Sequence, residues 1–69
     1  METIKIRDDF IKLGQAIKLA GLVDSGVEAK IEIQAEQVKV NGSVEFQRGK
    51  KIYPGDVIEF DGQQVKVEN

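Results

Sequence analysis

From Ser25 to Gly42 the chain reads S-G-V-E-A-K-I-E-I-Q-A-E-Q-V-K-V-N-G, and the period of its apolar positions changes midway. Ala29 and Ile33 lie four apart, which puts them on one face of a helix with Lys30 on a solvated flank. Ser25 and Glu28 have the spacing of a capping box: the hydroxyl takes an orphan amide at the helix start and the carboxylate reaches back. At Val38, Lys39 and Val40 the period falls to two, which marks a strand. Asn41-Gly42 closes it, because both residues tolerate the positive φ of a tight turn. The stretch predicts helix, short connection, strand and turn.

Upstream, Ile4 and Ile6 alternate with Thr3, Lys5 and Arg7, a half-buried strand whose charges would guard a sheet edge. Phe10, Leu13 and Ile17 then fall at spacings of three and four, and Ala20 continues the stripe. This predicts a helix capped by Asp8 or Asp9 and ended by Gly21, with Lys12, Gln15 and Lys18 facing water. Gly14 inside it costs about 1 kcal/mol relative to Ala, which points to close packing or to simple tolerance. Leu22 and Val23 fill the gap between the helices, and Asp24 places negative charge at the positive end of the second. Ile31 stands off the face assigned to Ala29 and Ile33; core burial is its expected fate, a partner-contact patch the alternative.

Downstream, Ser43 to Phe46 can pair back as a hairpin arm, with Val44 and Phe46 alternating with Ser43 and Glu45. Gln47-Arg48-Gly49-Lys50-Lys51 is the densest positive cluster of the chain. Tyr53-Pro54-Gly55-Asp56 sets proline and glycine where a type II turn wants them. Val57 to Phe60 reads as a strand, and Asp61-Gly62 turns it back through Gln63 to Val67. The expected fold is α+β: one domain over residues 1–69, two helices packed on a small, twisted, mostly antiparallel sheet.

Composition narrows the chemistry. With 69 residues, a chain of this size buries only about 60% of the surface its unfolded form exposes. Neither Cys nor His is present, which removes disulfides, the usual zinc ligand sets, Cys-His nucleophiles and His general bases. The expectation is a protein that is not an enzyme and takes no cofactor and no metal. The opening M-E-T-I-K-I-R-D-D-F interrupts its apolar residues with charge, so a soluble, cytoplasmic protein away from membranes is expected. The net charge is −2, from 10 basic and 12 acidic side chains, so any hold on a polyanion must come from local charge.

These motifs together resemble the RNA-binding domain named after ribosomal small-subunit protein four. The resemblance runs from about Lys12 to Phe60: K-L at 12 and 13, a small apolar helix ending at Gly21, S-G-V-E-A-K at 25–30, V-K-V-N-G at 38–42 and P-G-D-V-I at 54–58. The added N-terminal strand is similar to small stand-alone bacterial members of the YaaA/YbcJ type. The resemblance implies the two-helix αL-type motif and binding to structured RNA, ribosomal or transfer RNA, through shape and phosphate contacts. It places the contact surface on the second helix and the loop after the Asn-Gly turn. The candidate RNA-binding residues are Lys12, Ser25, Gly26, Lys30, Asn41, Arg48, Gly49, Lys50 and Lys51. Gly26 stands where the family commonly has Arg, Ser43 where it is often basic, and Glu36 where a small or flexible residue is common. The expected protein is a monomer with RNA as its partner and a ribosomal or other protein as a further one.

Each candidate also has a structural explanation. Arg48, Lys50 and Lys51 form either a phosphate clamp, with Gly49 letting the backbone approach, or a solvated charge run. Ser25 and Gly26 open a helix whose amides can hold a phosphate, though capping alone accounts for Ser25. Tyr53 can stack on a base or pack with its hydroxyl wet, and the second is favoured. A protein-interaction adaptor that keeps the fold with reduced RNA affinity is the competing function.

Overall fold

The computed structural model describes residues 1–69. The elements run β1 (Glu2–Lys5), β2 (Ile11–Lys12), α1 (Leu13–Leu19), α2 (Gly26–Gln34), β3 (Val38–Val40), β4 (Ser43–Val44), β5 (Lys51–Ile52), β6 (Val57–Phe60) and β7 (Gln63–Glu68). Five strands form one mixed sheet in the order β1-β7-β6-β3-β4, and β2 pairs with β5 as a separate two-stranded ribbon. The α+β expectation is met, and the sheet is antiparallel throughout except at one edge. There β1 runs parallel to β7, with Ile4 opposite Val67.

The hairpin turns follow from their residues. Asn41 (φ 51°) with Gly42 (φ 87°), and Asp61 (φ 51°) with Gly62 (φ 77°), have the paired positive φ of two-residue turns that match strand twist. They set Val40 against Ser43 and Phe60 against Gln63. The fourth strand is shorter than its alternation suggests: it ends at Val44, and Phe46 is exposed.

One cluster of fourteen apolar side chains forms the core, including Leu13, Ala16 and Ile17 of α1, Ala29 and Ile33 of α2, and Val38, Ile58, Val65 and Val67 of the sheet. A fully buried Ile or Leu contributes roughly 1.5–3 kcal/mol relative to exposure, so this cluster fixes the helices on the sheet. The second helix starts as its sequence demands. The Ser25 hydroxyl accepts the Glu28 N–H at 3.1 Å, while the Glu28 carboxylate accepts the N–H of Asp24, one residue before the cap, at 2.7 Å. Both helices end in a Schellman pattern. Gly21 (φ 76°) closes α1, and Glu36 takes the same left-handed position after α2 at φ 63°, where a side chain is strained.

The first helix starts differently from expectation. Asp8 and Asp9 cap nothing, and Phe10 lies outside the helix. Lys12 is the N-cap residue in extended conformation, without a side-chain cap bond. Two carbonyls of the basic loop replace the missing cap: Leu13 N–H donates to Lys50 O at 2.8 Å and Gly14 N–H to Arg48 O at 3.0 Å. Once those acceptors arrive from a distant part of the chain, the aspartates have no orphan amide left to serve. Ile31 is also placed otherwise than expected, with 59% of its surface exposed. At 100° per residue it points about 200° from Ala29 and Ile33, and the helix has a single buried stripe.

Candidate nucleic-acid interface

The loop from Gln47 to Lys50 is tied to the start of α1 by the two backbone bonds just described, and its own turn closes through Lys50 N–H to Gln47 O at 3.1 Å. Beside it, the β2–β5 ribbon sets Lys12 directly opposite Lys51 and Ile11 opposite Ile52. Ile52 is fully buried and anchors the ribbon to the core, which leaves the two lysines on the outer face.

Gly14 decides how close the loop comes. A Cβ built there would lie 2.6 Å from Arg48 Cγ and 3.2 Å from Cδ, so the aliphatic stem of Arg48 crosses the helix where no side chain intervenes. Close packing is therefore the reason for a glycine in this helix. The stem lies along the helix surface at Gly14, and Arg48 lines the same recess as Gly26 at the start of α2.

Between these parts lies an open recess of about 340 Å³ lined by Lys12, Gly14, Gln15, Gly26, Arg48 and Gly49. None of its six lining residues is hydrophobic and three are glycines, so backbone is within reach of whatever enters. A Cβ at Gly26 or Gly49 would meet nothing within 4 Å. Of the first three amides of α2, the Glu28 N–H is taken by Ser25, while those of Gly26 and Val27 have no protein acceptor. Free amides at a helix start carry partial positive charge and favour an anion. Lys30, four residues beyond Gly26 and exposed, extends that face by one turn.

A second recess lies on the other side of the loop, where Lys50 and Lys51 face Asn41, Ser43, Glu45 and Tyr53. The basic loop is thus divided: Arg48 and Gly49 join Lys12 and Gly26 in the first recess, Lys50 and Lys51 line the second. The side-chain hydrogen bonds of the protein involve none of Lys12, Arg48, Lys50 or Lys51, so these cations are not tied to carboxylates. Asn41 is largely occupied. Its Nδ2 donates to Asp56 Oδ1 at 3.0 Å and its Oδ1 accepts the Val57 N–H at 2.9 Å, which fastens the Asn-Gly turn to the Pro-Gly turn. Asp56 Oδ2 in turn accepts the Tyr53 N–H at 2.8 Å.

Gly14 and Gln15 line the first recess without having been marked as site residues. The unfavourable glycine within an otherwise regular helical stripe was the available signal for the first. Nothing in the sequence singled out Gln15.

Comparison with known proteins bears on the family and the fold. Residues 4–68 match the family described as the S4 domain. The probable ribosome maturation protein RlbA of Bacillus subtilis (strain 168) is 42% identical over 59 residues, which cover 86% of this chain and 83% of RlbA. YbcJ of Escherichia coli (strain K12), named as a candidate RNA-binding protein, is 42% identical over 57 residues, covering 83% of this chain and 81% of YbcJ. The solution structure of Escherichia coli YbcJ, described as having an αL motif involved in RNA binding, superimposes with a TM-score of 0.76 at 37% identity. That superposition covers 100% of this chain and 89% of YbcJ. A family match across nearly the whole length, joined to the same fold at this level of identity, makes the chain a member of the S4 domain family.

Proposed function

We propose that this protein is a non-catalytic module that binds structured RNA, ribosomal or transfer RNA, in the cytoplasm. The observation that carries the reading is the first recess: two unpaired cations, Lys12 and Arg48, line one glycine-walled space together with Gly26, the first residue of α2, whose amide has no protein acceptor. That set of donors suits a phosphate, and its spread over two helices and a loop suits the curved backbone of a folded RNA. The maturation role in RlbA's name supports ribosomal RNA over transfer RNA. The absence of Cys and His supports binding without catalysis.

The test is charge reversal. A variant carrying Arg48→Glu, Lys50→Glu and Lys51→Glu loses binding to ribosomal RNA fragments and to transfer RNA, with its circular dichroism spectrum unchanged. With Lys12, Arg48, Lys50 and Lys51 all on phosphates, the wild-type slope of log affinity against log salt is about −3 to −4. Binding that survives the reversal assigns the surface wrongly.

A second reading, the protein-interaction adaptor, is favoured by one observation. Val27 and Ile31, four apart on the outer face of α2, are 70% and 59% exposed. A partner protein retained from lysate after nuclease treatment would favour it over RNA binding.

A further inference from the structure

The β2–β5 ribbon carries more than charge on its outer face. Continuing the register of Ile11 with Ile52 by one residue sets Phe10 across from Tyr53, and their ring centroids lie 6.0 Å apart at 48°. By the two-residue period of a strand, these rings share the face of Lys12 and Lys51. The Lys51 ammonium sits 4.9 Å above the Phe10 ring, within range of a cation–π contact. Phe10 is thereby covered, by Tyr53 on one side and the ammonium on another. Tyr53 keeps 48% of its surface exposed and borders the second recess, of about 390 Å³, together with Lys50 and Lys51.

Tyr53 is also held in place. Its backbone N–H is bonded to Asp56 across the Pro-Gly turn, and Phe10 supports the ring from beside. A ring fixed before a ligand arrives loses little freedom on binding. A burial explanation fits poorly here, because the ring is too exposed to serve the core. Hydration alone leaves unexplained why the one tyrosine of the chain lines a recess with two lysines.

We infer that this ribbon face is a stacking site for one unpaired nucleobase of the bound RNA, with Tyr53 as the platform and Lys50 and Lys51 on the adjoining phosphate. The inference rests on the RNA-binding reading and names the kind of RNA: folded, with an extruded base. Continuity with the phosphate recess selects that occupant, and the two carboxylates of the second recess, Glu45 and Asp56, are each engaged by a backbone N–H donor. Lys12 belongs to the phosphate recess, its cross-strand neighbour is Lys51, and the rings stand two residues, about 7 Å, further along the ribbon. A strand whose phosphate lies in the first recess has the ring within reach of its next nucleotide, and an aromatic face beside a cationic track accepts any base.

The chain has one Tyr and no Trp, so its intrinsic emission is that of Tyr53. The probes are two end-labelled RNA hairpins, identical except for a single bulged adenosine. The bulged hairpin is expected to quench the tyrosine emission of the wild type with the same midpoint as its anisotropy change. Tyr53→Ala is expected to weaken the bulged hairpin roughly tenfold or more and to leave the paired one unchanged, while Tyr53→Phe retains binding. The wild-type quench reads the site even where the alanine variant is unstable. Binding of both hairpins without quenching, and without discrimination by Tyr53→Ala, overturns the stacking site and leaves the phosphate recess standing. Failure of the wild type to bind either hairpin overturns the RNA reading, and the stacking site with it.

Discussion

The two helices begin within about a dozen residues of one another and solve the same problem in opposite ways. Each start leaves backbone amides without intrahelical partners. At α1 they are closed from outside, by the carbonyls of Arg48 and Lys50. At α2 the sequence supplies its own cap in Ser25 and leaves the amides of Gly26 and Val27 open. The closed start fixes the basic loop in place, and the open start faces the recess that this loop completes. One helix terminus anchors the loop and the other lines the recess beside it.

Changes at the closed start should have the largest effect. Gly14→Val puts a branched side chain where Arg48 Cγ would lie 2.6 Å from the new Cβ, so the stem and then the loop must move. Overpacking of this kind costs about 1–3 kcal/mol, and RNA affinity should fall with it because Arg48 leaves its path. Urea unfolding and binding to a ribosomal RNA fragment measure the two effects. Wild-type values in both would show that the loop is not seated on the helix. The open start is more local. Ser25→Ala should cost about 1 kcal/mol by loss of the cap, seen as a fall of about 4–8 °C in melting temperature for a domain of this size. An unchanged melting temperature would mean that water caps this helix as well as the hydroxyl does. The smallest effect is expected from Asp8→Ala and Asp9→Ala, each within about 0.5 kcal/mol. A loss comparable to that of Ser25→Ala would restore the aspartates as caps of α1.

The same contrast explains what the sequence made legible. Helix α2, strand β3 and the Asn41-Gly42 and Asp61-Gly62 turns are each specified by residues within a few positions, and each lies where pattern and turn chemistry put it. The start of α1 is specified by acceptors some 35 residues away, so local reading assigned it to the nearest aspartates. Strands β2 and β5 have two residues each, too short to show a period, and they exist because the loop docks. The parallel pairing of β1 was illegible for a related reason: alternation identifies a strand but not its neighbour.

For the candidate site, residue type was informative and grouping was not. Lys12, Gly26, Arg48 and Gly49 do share one recess, but Lys50 and Lys51 turn to another, although the run of charge suggested one clamp. The division falls at the Arg48-Gly49 turn: the residues of the turn line the first recess and the two lysines after it line the second. Asn41 shows a related limit. Turn geometry explains its presence, while its bond to Asp56, fifteen positions on, depends on two turns meeting in space.

The facing pair Lys12 and Lys51 carries one last implication. Two ammonium-bearing side chains at directly opposed positions repel each other, an unfavourable contribution on the order of a few tenths of a kcal/mol in the empty protein. A polyanion lying across the ribbon would reverse the sign of that contribution. The Phe10 ring beneath the Lys51 ammonium offsets part of that cost in the empty protein, so the ribbon holds two like charges on one face without a carboxylate between them.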